Sequence, residues 1–276
     1  MRHRRAFITG GASGLGLALA RRLARDGWRI CLGDIDNAAG QAAAAQLSSL
    51  GSAAHYLHCN VTVEADLDHA SRWLESQWGG CDLVVNNAGV AQSGTLVDTR
   101  EADWQWIVNI NLLGVVRGCR AFIPLLRRQG GGTILNVASM AGLVHFPGAS
   151  AYNATKAAVV ALSETLELEL APDHIRVCVA CPSFFRSELA RGMRASDEQS
   201  AQLTRRLVER ARVSSDDVAD AIATALQRGT THIVTHPEAR RAWRMKRWLP
   251  HRLWVRMLTR QVRQLNARLL RRAVQP

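Results

Sequence analysis

The sequence predicts an α/β fold: a doubly wound, parallel seven-stranded sheet in a single domain, followed by a basic amphipathic helical tail. Three observations predict it. Up to about residue 236, seven short β-rich runs alternate with helix-period segments, which is how a parallel sheet covered on both faces is written. Beyond that point the alternation stops and arginine dominates. The length of 276 residues is enough to close one such core, commonly built from roughly 200 to 250 residues. The expected division is therefore 1–237 for the sheet domain and 238–276 for the extension.

Strands are expected at 6–9, 29–33, 53–59, 82–85, 133–137, 176–180 and 232–235, where apolar and β-branched residues cluster between turn residues. Helices are expected at 15–26, 37–50, 64–78, 104–128, 151–170 and 215–228. Gly27 and Gly51 stop two of them, and Pro172 follows the helix ending at Leu170. Gly130, Gly131 and Gly132 turn the chain into the fifth strand, and Ser214, Ser215 and Asp216 offer caps to the sixth helix. No period of 20 to 50 residues suggests a repeat architecture.

Charge is unevenly placed. Of the net +12, residues 238–276 hold eleven Arg and one Lys against one acid, a net of +11, leaving +1 for the rest of the chain. A uniformly basic protein would point to nucleic acid, but here basicity belongs to a tail. No run of about 18 uninterrupted apolar residues is present, so no transmembrane helix is expected. Arg2, Arg4 and Arg5 precede an apolar stretch too short for a signal-peptide core, so a cytoplasmic chain is expected. The six scattered cysteines then read as small buried apolar residues. Cys178 and Cys181 spell C-x-x-C, but across a strand run that spacing points them to opposite faces, so neither a disulfide nor a metal site is expected.

The first strand runs into Thr9-Gly10-Gly11-Ala12-Ser13-Gly14-Leu15-Gly16 and then a helix. Glycines let the backbone approach a pyrophosphate, and the helix N-terminus offers unpaired N–H groups to it. Asp34 closes the second strand 18 residues after Gly16, where a carboxylate can accept from an adenosine ribose diol and repel a 2′-phosphate. Neither Ser13 nor Ile35 supplies a positive charge to welcome that phosphate, so NAD is favoured over NADP. Asn86-Asn87-Ala88-Gly89 ends the fourth strand, where small residues let a cofactor lie against backbone.

Ser139 and Tyr152-Asn153-Ala154-Thr155-Lys156 carry the chemistry. Residues i and i+4 share a helix face, so a phenol and an ammonium can converge. A phenol has a pKa near 10, and a nearby cation is expected to lower it toward the range useful for proton exchange. Ser139 is placed to hydrogen-bond the same substrate oxygen. The chain has 33 Arg and only two Lys, Lys156 and Lys246, so retention of a compact ammonium at 156 points to a specific task.

Together these motifs resemble the short-chain dehydrogenase/reductase family from about Arg5 to His236: T-G-x-x-x-G-x-G, N-N-A-G, a Ser thirteen residues before Y-x-x-x-K, and a Pro-led segment after the sixth strand. The resemblance implies a Rossmann-type oxidoreductase in which Tyr152 is the general acid/base, Lys156 lowers its pKa and binds the nicotinamide ribose, Ser139 orients substrate, and Asn111 joins a water-mediated proton relay. It implies cofactor contacts at Gly10, Ser13, Gly14, Leu15, Gly16, Asp34, Asn60, Val61, Asn87, Ala88, Gly89, Tyr152, Lys156, Pro182 and Ser187, and a homodimer or homotetramer. Three positions depart from the family pattern. Asn60-Val61 stands where an Asp-Val often holds the adenine, and Pro182-Ser183 stands where Pro-Gly is common, with Ser187 for the usual threonine.

Segments 90–93, 143–148 and 184–193 are mostly apolar, so a hydrophobic alcohol or ketone is the expected substrate, with His145 a candidate contact. In the tail, Trp254, Leu258, Val262, Leu265 and Leu269 recur at helical spacing with arginines on other faces. That stripe suits packing on the sheet domain or a second subunit, an anionic membrane surface, or, least, nucleic acid. The alternative to an active oxidoreductase is a cofactor-sensing or membrane-associated member of the same fold with weak turnover.

Overall fold

The computed structural model describes residues 4–273, apart from 191 and 197. Two compact units divide at Thr235 and His236.

In the first unit seven parallel strands form one sheet: β1 (Arg5–Thr9), β2 (Arg29–Asp34), β3 (Ala54–His58), β4 (Leu83–Asn86), β5 (Gly132–Val137), β6 (Ile175–Ala180) and β7 (His232–Ile233), in the order β3-β2-β1-β4-β5-β6-β7. Its helices are α1 (Gly14–Arg25), α2 (Asn37–Ser49), α3 (Glu64–Trp78), α4 (Glu101–Val108), α5 (Gly114–Arg128), α6 (Ser150–Glu169), α7 (Glu198–Glu209) and α8 (Ser215–Gln227). The central strands are apolar on both faces because helices cover both, and Ile8, Leu32, Val85 and Leu135 are fully buried. The strand order reverses between β1 and β4, whose register pairs Ala6 with Leu83 and Ile8 with Val85. Such a reversal leaves a crevice at the carboxyl ends of the strands.

All seven expected strands are present, with ends shifted by one or two residues. The largest shift is at β7, which pairs with β6 only through Val179–His232 and Ala180–Ile233, so the ladder ends before Thr235. The helix expected at 104–128 starts earlier, at Glu101, where Glu101 and Asp103 suit a helix N-terminus. It is also interrupted by a π-turn at Asn109–Leu113. By length and composition the stretch 101–128 could cross a membrane, although it has no unbroken apolar run. Its apolar residues Ile107, Val115, Phe122, Leu125 and Leu126 are buried, and Phe122 stacks on Phe7 of β1 with centroids 4.9 Å apart. It is a core helix of the sheet unit.

The sequence pattern does not mark α7, nor a two-residue parallel ribbon pairing Gln92 with Arg194 and Ser93 with Ala195. All six cysteines are buried, as expected of small apolar residues.

The second unit holds α9 (Pro237–Trp248) and α10 (His251–Ala273). Pro237 occupies the first turn of α9, where a missing N–H removes no helical hydrogen bond. Along the expected apolar stripe of α10, Trp254 is buried and Leu258 and Val262 are half-buried; the side chains of Leu265 and Leu269 fall outside the described residues.

Candidate active site

The crevice between β1 and β4 opens into a cavity of about 470 Å³. Its floor at one end is the loop joining β1 to α1. Gly14 adopts φ +52° there, a backbone conformation that strains any residue with a Cβ. At Gly16 a Cβ would lie 2.1 Å from the Gly10 carbonyl oxygen, so only glycine allows the loop to close on its own helix. Ser13 precedes α1 without a side-chain cap, leaving the helix's first N–H groups open. Gly10, Ser13, Gly14 and Leu15 line the cavity, whereas Gly16 lies beneath the loop and does not.

Hydrogen bonds lock the neighbouring segments to this loop. Asn87 Nδ2 donates to the carbonyls of Thr9 (2.9 Å) and Gly10 (3.0 Å), and the Thr9 hydroxyl oxygen accepts from the N–H groups of Asn87 and Ala88. Asp34 accepts from the Ala12 N–H at 3.0 Å and the Asp36 N–H at 3.2 Å, which fixes its carboxylate at the cavity edge. Asn60 also lines the cavity, but its side-chain oxygen is engaged by the N–H and hydroxyl of Thr62. Val61, Asn87, Ala88, Gly89 and Ser187 also line the cavity, as does Pro182, whose carbonyl lies against Ser139.

At the other end Ser139, Tyr152 and Lys156 line the same cavity. Ser139 caps a short 3₁₀ turn at Met140–Gly142, its oxygen accepting from the Ala141 N–H at 3.1 Å. Tyr152 and Lys156 lie one turn apart on α6, with the ammonium 5.8 Å from the phenol ring centroid. Lys156 is buried and its Nζ donates to the Val137 carbonyl at 2.9 Å. Burial pushes this ammonium down to about 8.

The i, i+4 spacing predicts that the lysine lowers the tyrosine's pKa. In the folded chain the phenol is raised instead, first by desolvation, and it is the hydrogen bond with Ser139 that opposes the rise. A buried lysine that donates to a backbone carbonyl nearly 6 Å from the ring centre is no longer the dominant influence on it.

Asn111, in the π-turn, is fully buried and does not reach the cavity wall. Its Oδ1 accepts from the Val90 N–H (2.8 Å) and its Nδ2 donates to the Val90 carbonyl (2.9 Å). A Cβ built on Gly89 would lie 3.2 Å from Asn111 Oδ1 and 3.4 Å from Lys156 Nζ, so the two side chains flank the same glycine.

The apolar end of the cavity draws on Val90, Ala91, Phe146, Phe184 and Leu189. His145 is exposed and not part of the lining. Ile110, Met140, Ala141, Thr204 and Val208 line it and were missed. The recurrence of Ala201, Thr204 and Val208 at i, i+3 and i+7 was the available signal for the last two. Among the described residues no three His, Cys, Asp or Glu side chains gather as a metal site would require.

A sequence model described as short chain dehydrogenase matches residues 4–198. This chain belongs to the short-chain dehydrogenase family. It is an oxidoreductase acting on CH–OH groups. This short-chain dehydrogenase is 36% identical over 184 residues to a 3-alpha-(or 20-beta)-hydroxysteroid dehydrogenase of Mycobacterium bovis, covering 67% of this chain and 70% of the relative. A crystal structure of a short-chain dehydrogenase/reductase from Burkholderia phymatum in complex with NAD superposes with a TM-score of 0.85 at 29% identity, over 89% of this chain and 93% of that one. A short-chain dehydrogenase from Sphingobium yanoikuyae in complex with NADPH superposes with a TM-score of 0.73 at 30% identity, over 86% and 90%.

Proposed function

We propose that this dehydrogenase interconverts a hydrophobic alcohol and its ketone using NAD(H), with Tyr152 exchanging the proton. The observation that carries the reading is the meeting of Ser139, Tyr152 and Lys156 with the glycine loop and Asp34 around one cavity.

The residues present fit a dinucleotide. The open N-terminus of α1 and the loop of Gly10, Ser13, Gly14, Leu15 and Gly16 suit a pyrophosphate, and the clasped Asp34 carboxylate suits a ribose diol. Asn60 and Val61 would flank the adenine, Asn87, Ala88 and Gly89 would pack under the cofactor, and Pro182 and Ser187 would face the carboxamide. A nicotinamide held there would supply or accept the hydride.

In the reducing direction Tyr152 donates its hydroxyl proton to the carbonyl oxygen as negative charge builds there. Ser139 gives the same oxygen a hydrogen bond. Its present contact to the Pro182 carbonyl is long, at 3.5 Å, so turning from it costs little. Lys156, kept as an ammonium below about pH 8, would hold a ribose hydroxyl, and the Ser139 hydrogen bond favours the phenolate left behind. Asn111 acts through Val90 and Gly89, holding the segment beside Lys156 where a relay of protons would run.

NAD is preferred because the fixed Asp34 charge stands where a 2′-phosphate would come, although solved relatives carry either nucleotide. The apolar lining, and the hydroxysteroid dehydrogenase among the relatives, support an alicyclic or other bulky apolar substrate. A homodimer or homotetramer is proposed on the stripe of exposed Ala154, Ala161 and Leu168, which recur at seven-residue spacing along one face of α6.

The test is a panel of hydrophobic secondary alcohols and ketones followed by nicotinamide absorbance. Tyr152→Phe should lose about 10²- to 10⁴-fold in turnover while keeping NAD binding by calorimetry. A wild type that binds NAD and turns over nothing in the panel would leave the cofactor-sensing reading in its place.

A further inference from the structure

The second unit has a charge and exposure pattern that hydride transfer does not use. After Glu238 it contains no acid, and Arg244, Arg247, Arg252, Arg256 and Arg260 are all exposed. Around the Leu249–Pro250 elbow between α9 and α10, large apolar side chains are also exposed: Met245 at 41%, Trp248 at 83%, Leu253 at 50% and Val255 at 44%. The elbow is well formed, since the Leu253 and Trp254 N–H groups both donate to the Pro250 carbonyl. Apolar wedge and arginine rim therefore occupy the same short stretch of chain.

A partner that satisfies this stretch must offer negative charge and an apolar medium together. A nucleic acid offers the first, but Met245, Leu253 and Val255 gain little from a phosphate backbone. A second copy offers apolar surface but brings another +11 to the contact. An anionic bilayer interface offers both: headgroups for arginines that snorkel outward, and the acyl boundary for Trp248 and its neighbours.

We propose that the α9–α10 elbow is a membrane-docking site, inserting Trp248 and Leu253 into the interface of an anionic lipid surface while the surrounding arginines bind its headgroups. The inference is independent of which cofactor or substrate the sheet unit takes.

The experiment is flotation of the full chain with vesicles of phosphatidylcholine alone, or containing a third phosphatidylglycerol, at low and high salt. Binding should appear on the phosphatidylglycerol vesicles, weaken with salt and be nearly absent on phosphatidylcholine. Trp248→Ser with Leu253→Ser should lower partitioning about tenfold or more at unchanged salt dependence. Arg244→Gln with Arg247→Gln should lower it about fivefold per charge removed and flatten the salt dependence. Thermal melting by circular dichroism checks folding, and Trp248→Ser alone serves if the double variant melts early. No flotation, equal flotation on both vesicles, or flotation untouched by the Trp248 and Leu253 changes would overturn the proposal. So would tighter retention on duplex DNA than on vesicles at matched salt, or self-association in sedimentation that depends on Trp248.

Discussion

Lys156 Nζ donates to the carbonyl of Val137, 2.9 Å away at the end of β5, and this bond ties the helix that bears Tyr152 to the strand that leads into Ser139. The ammonium is buried, so the bond comes with a cost that depends on pH.

The folded chain releases this proton near pH 8, whereas an unfolded lysine holds it to about 10.5. Between those values the unfolded chain binds more protons, so stability rises with pH across the window. The raised Tyr152 phenol acts in the opposite sense only from about pH 10 upward, where the unfolded chain loses a proton that the folded chain keeps. From about pH 8 to about pH 10 the wild type should gain on the order of 2 kcal/mol relative to Lys156→Met. Urea midpoints at the two pH values measure it, and parallel profiles for the two proteins would refute it.

Asn111→Leu removes both bonds to Val90 and leaves a part-buried N–H and carbonyl without these partners. At about 1 kcal/mol for each part-buried group, the low end of the range for an orphaned partner, a loss of roughly 2 kcal/mol in urea unfolding is expected. Activity should fall further than stability explains, and Asn111→Asp should restore only the half of the contact that accepts from the Val90 N–H. Full activity in Asn111→Leu would remove the residue from the site.

Replacing Asp34 by Ser removes the charge fixed by the Ala12 and Asp36 N–H groups. The ratio of kcat/KM for NAD over NADP should then drop by about one to two orders of magnitude, the scale of a like-charge contact at intermediate dielectric. An unchanged ratio would mean the discrimination lies elsewhere.

Arg194 pairs with Asp103 at 3.0 Å, lies 4.1 Å over the Trp106 ring and sits on the small ribbon with Gln92. It fastens the segment that follows Ser187 to α4 beside the apolar end of the cavity. Arg194→Ala should raise KM for a bulky substrate about fivefold, the loss of a partly exposed ion pair and a cation–π contact, with kcat nearly kept. Steady-state kinetics separates the two, and an effect on kcat alone would contradict a positioning role.

Much of this was legible in sequence for a physical reason. A strand covered on both faces must be apolar throughout, so 6–9, 82–85 and 133–137 announced themselves. Glycines at 10, 14 and 16 and the i, i+4 pair at 152 and 156 mark backbone and helix geometry that no other residues meet as well. The remainder depended on contacts between distant segments. The end of β7 was set by how far β6 accompanied it. The tyrosine's shift was set by burial and by Ser139, neither of which is written near residue 152. Helix α7 mixes polar residues with few apolar ones, and its role in lining the cavity through Thr204 and Val208 emerges only from where the chain folds back.

The widened turn at Asn109–Leu113 slips one additional residue into an otherwise regular spiral. Each residue beyond it is rotated by about 100° from the phase that α4 alone would dictate. Phe122 and Leu126 can therefore face the sheet while Asn111 faces Val90, two demands that one uninterrupted periodicity would set against each other. Deleting a single residue from this stretch would be far more damaging than most substitutions within it. It would swing the whole of α5 out of step with the strands beneath.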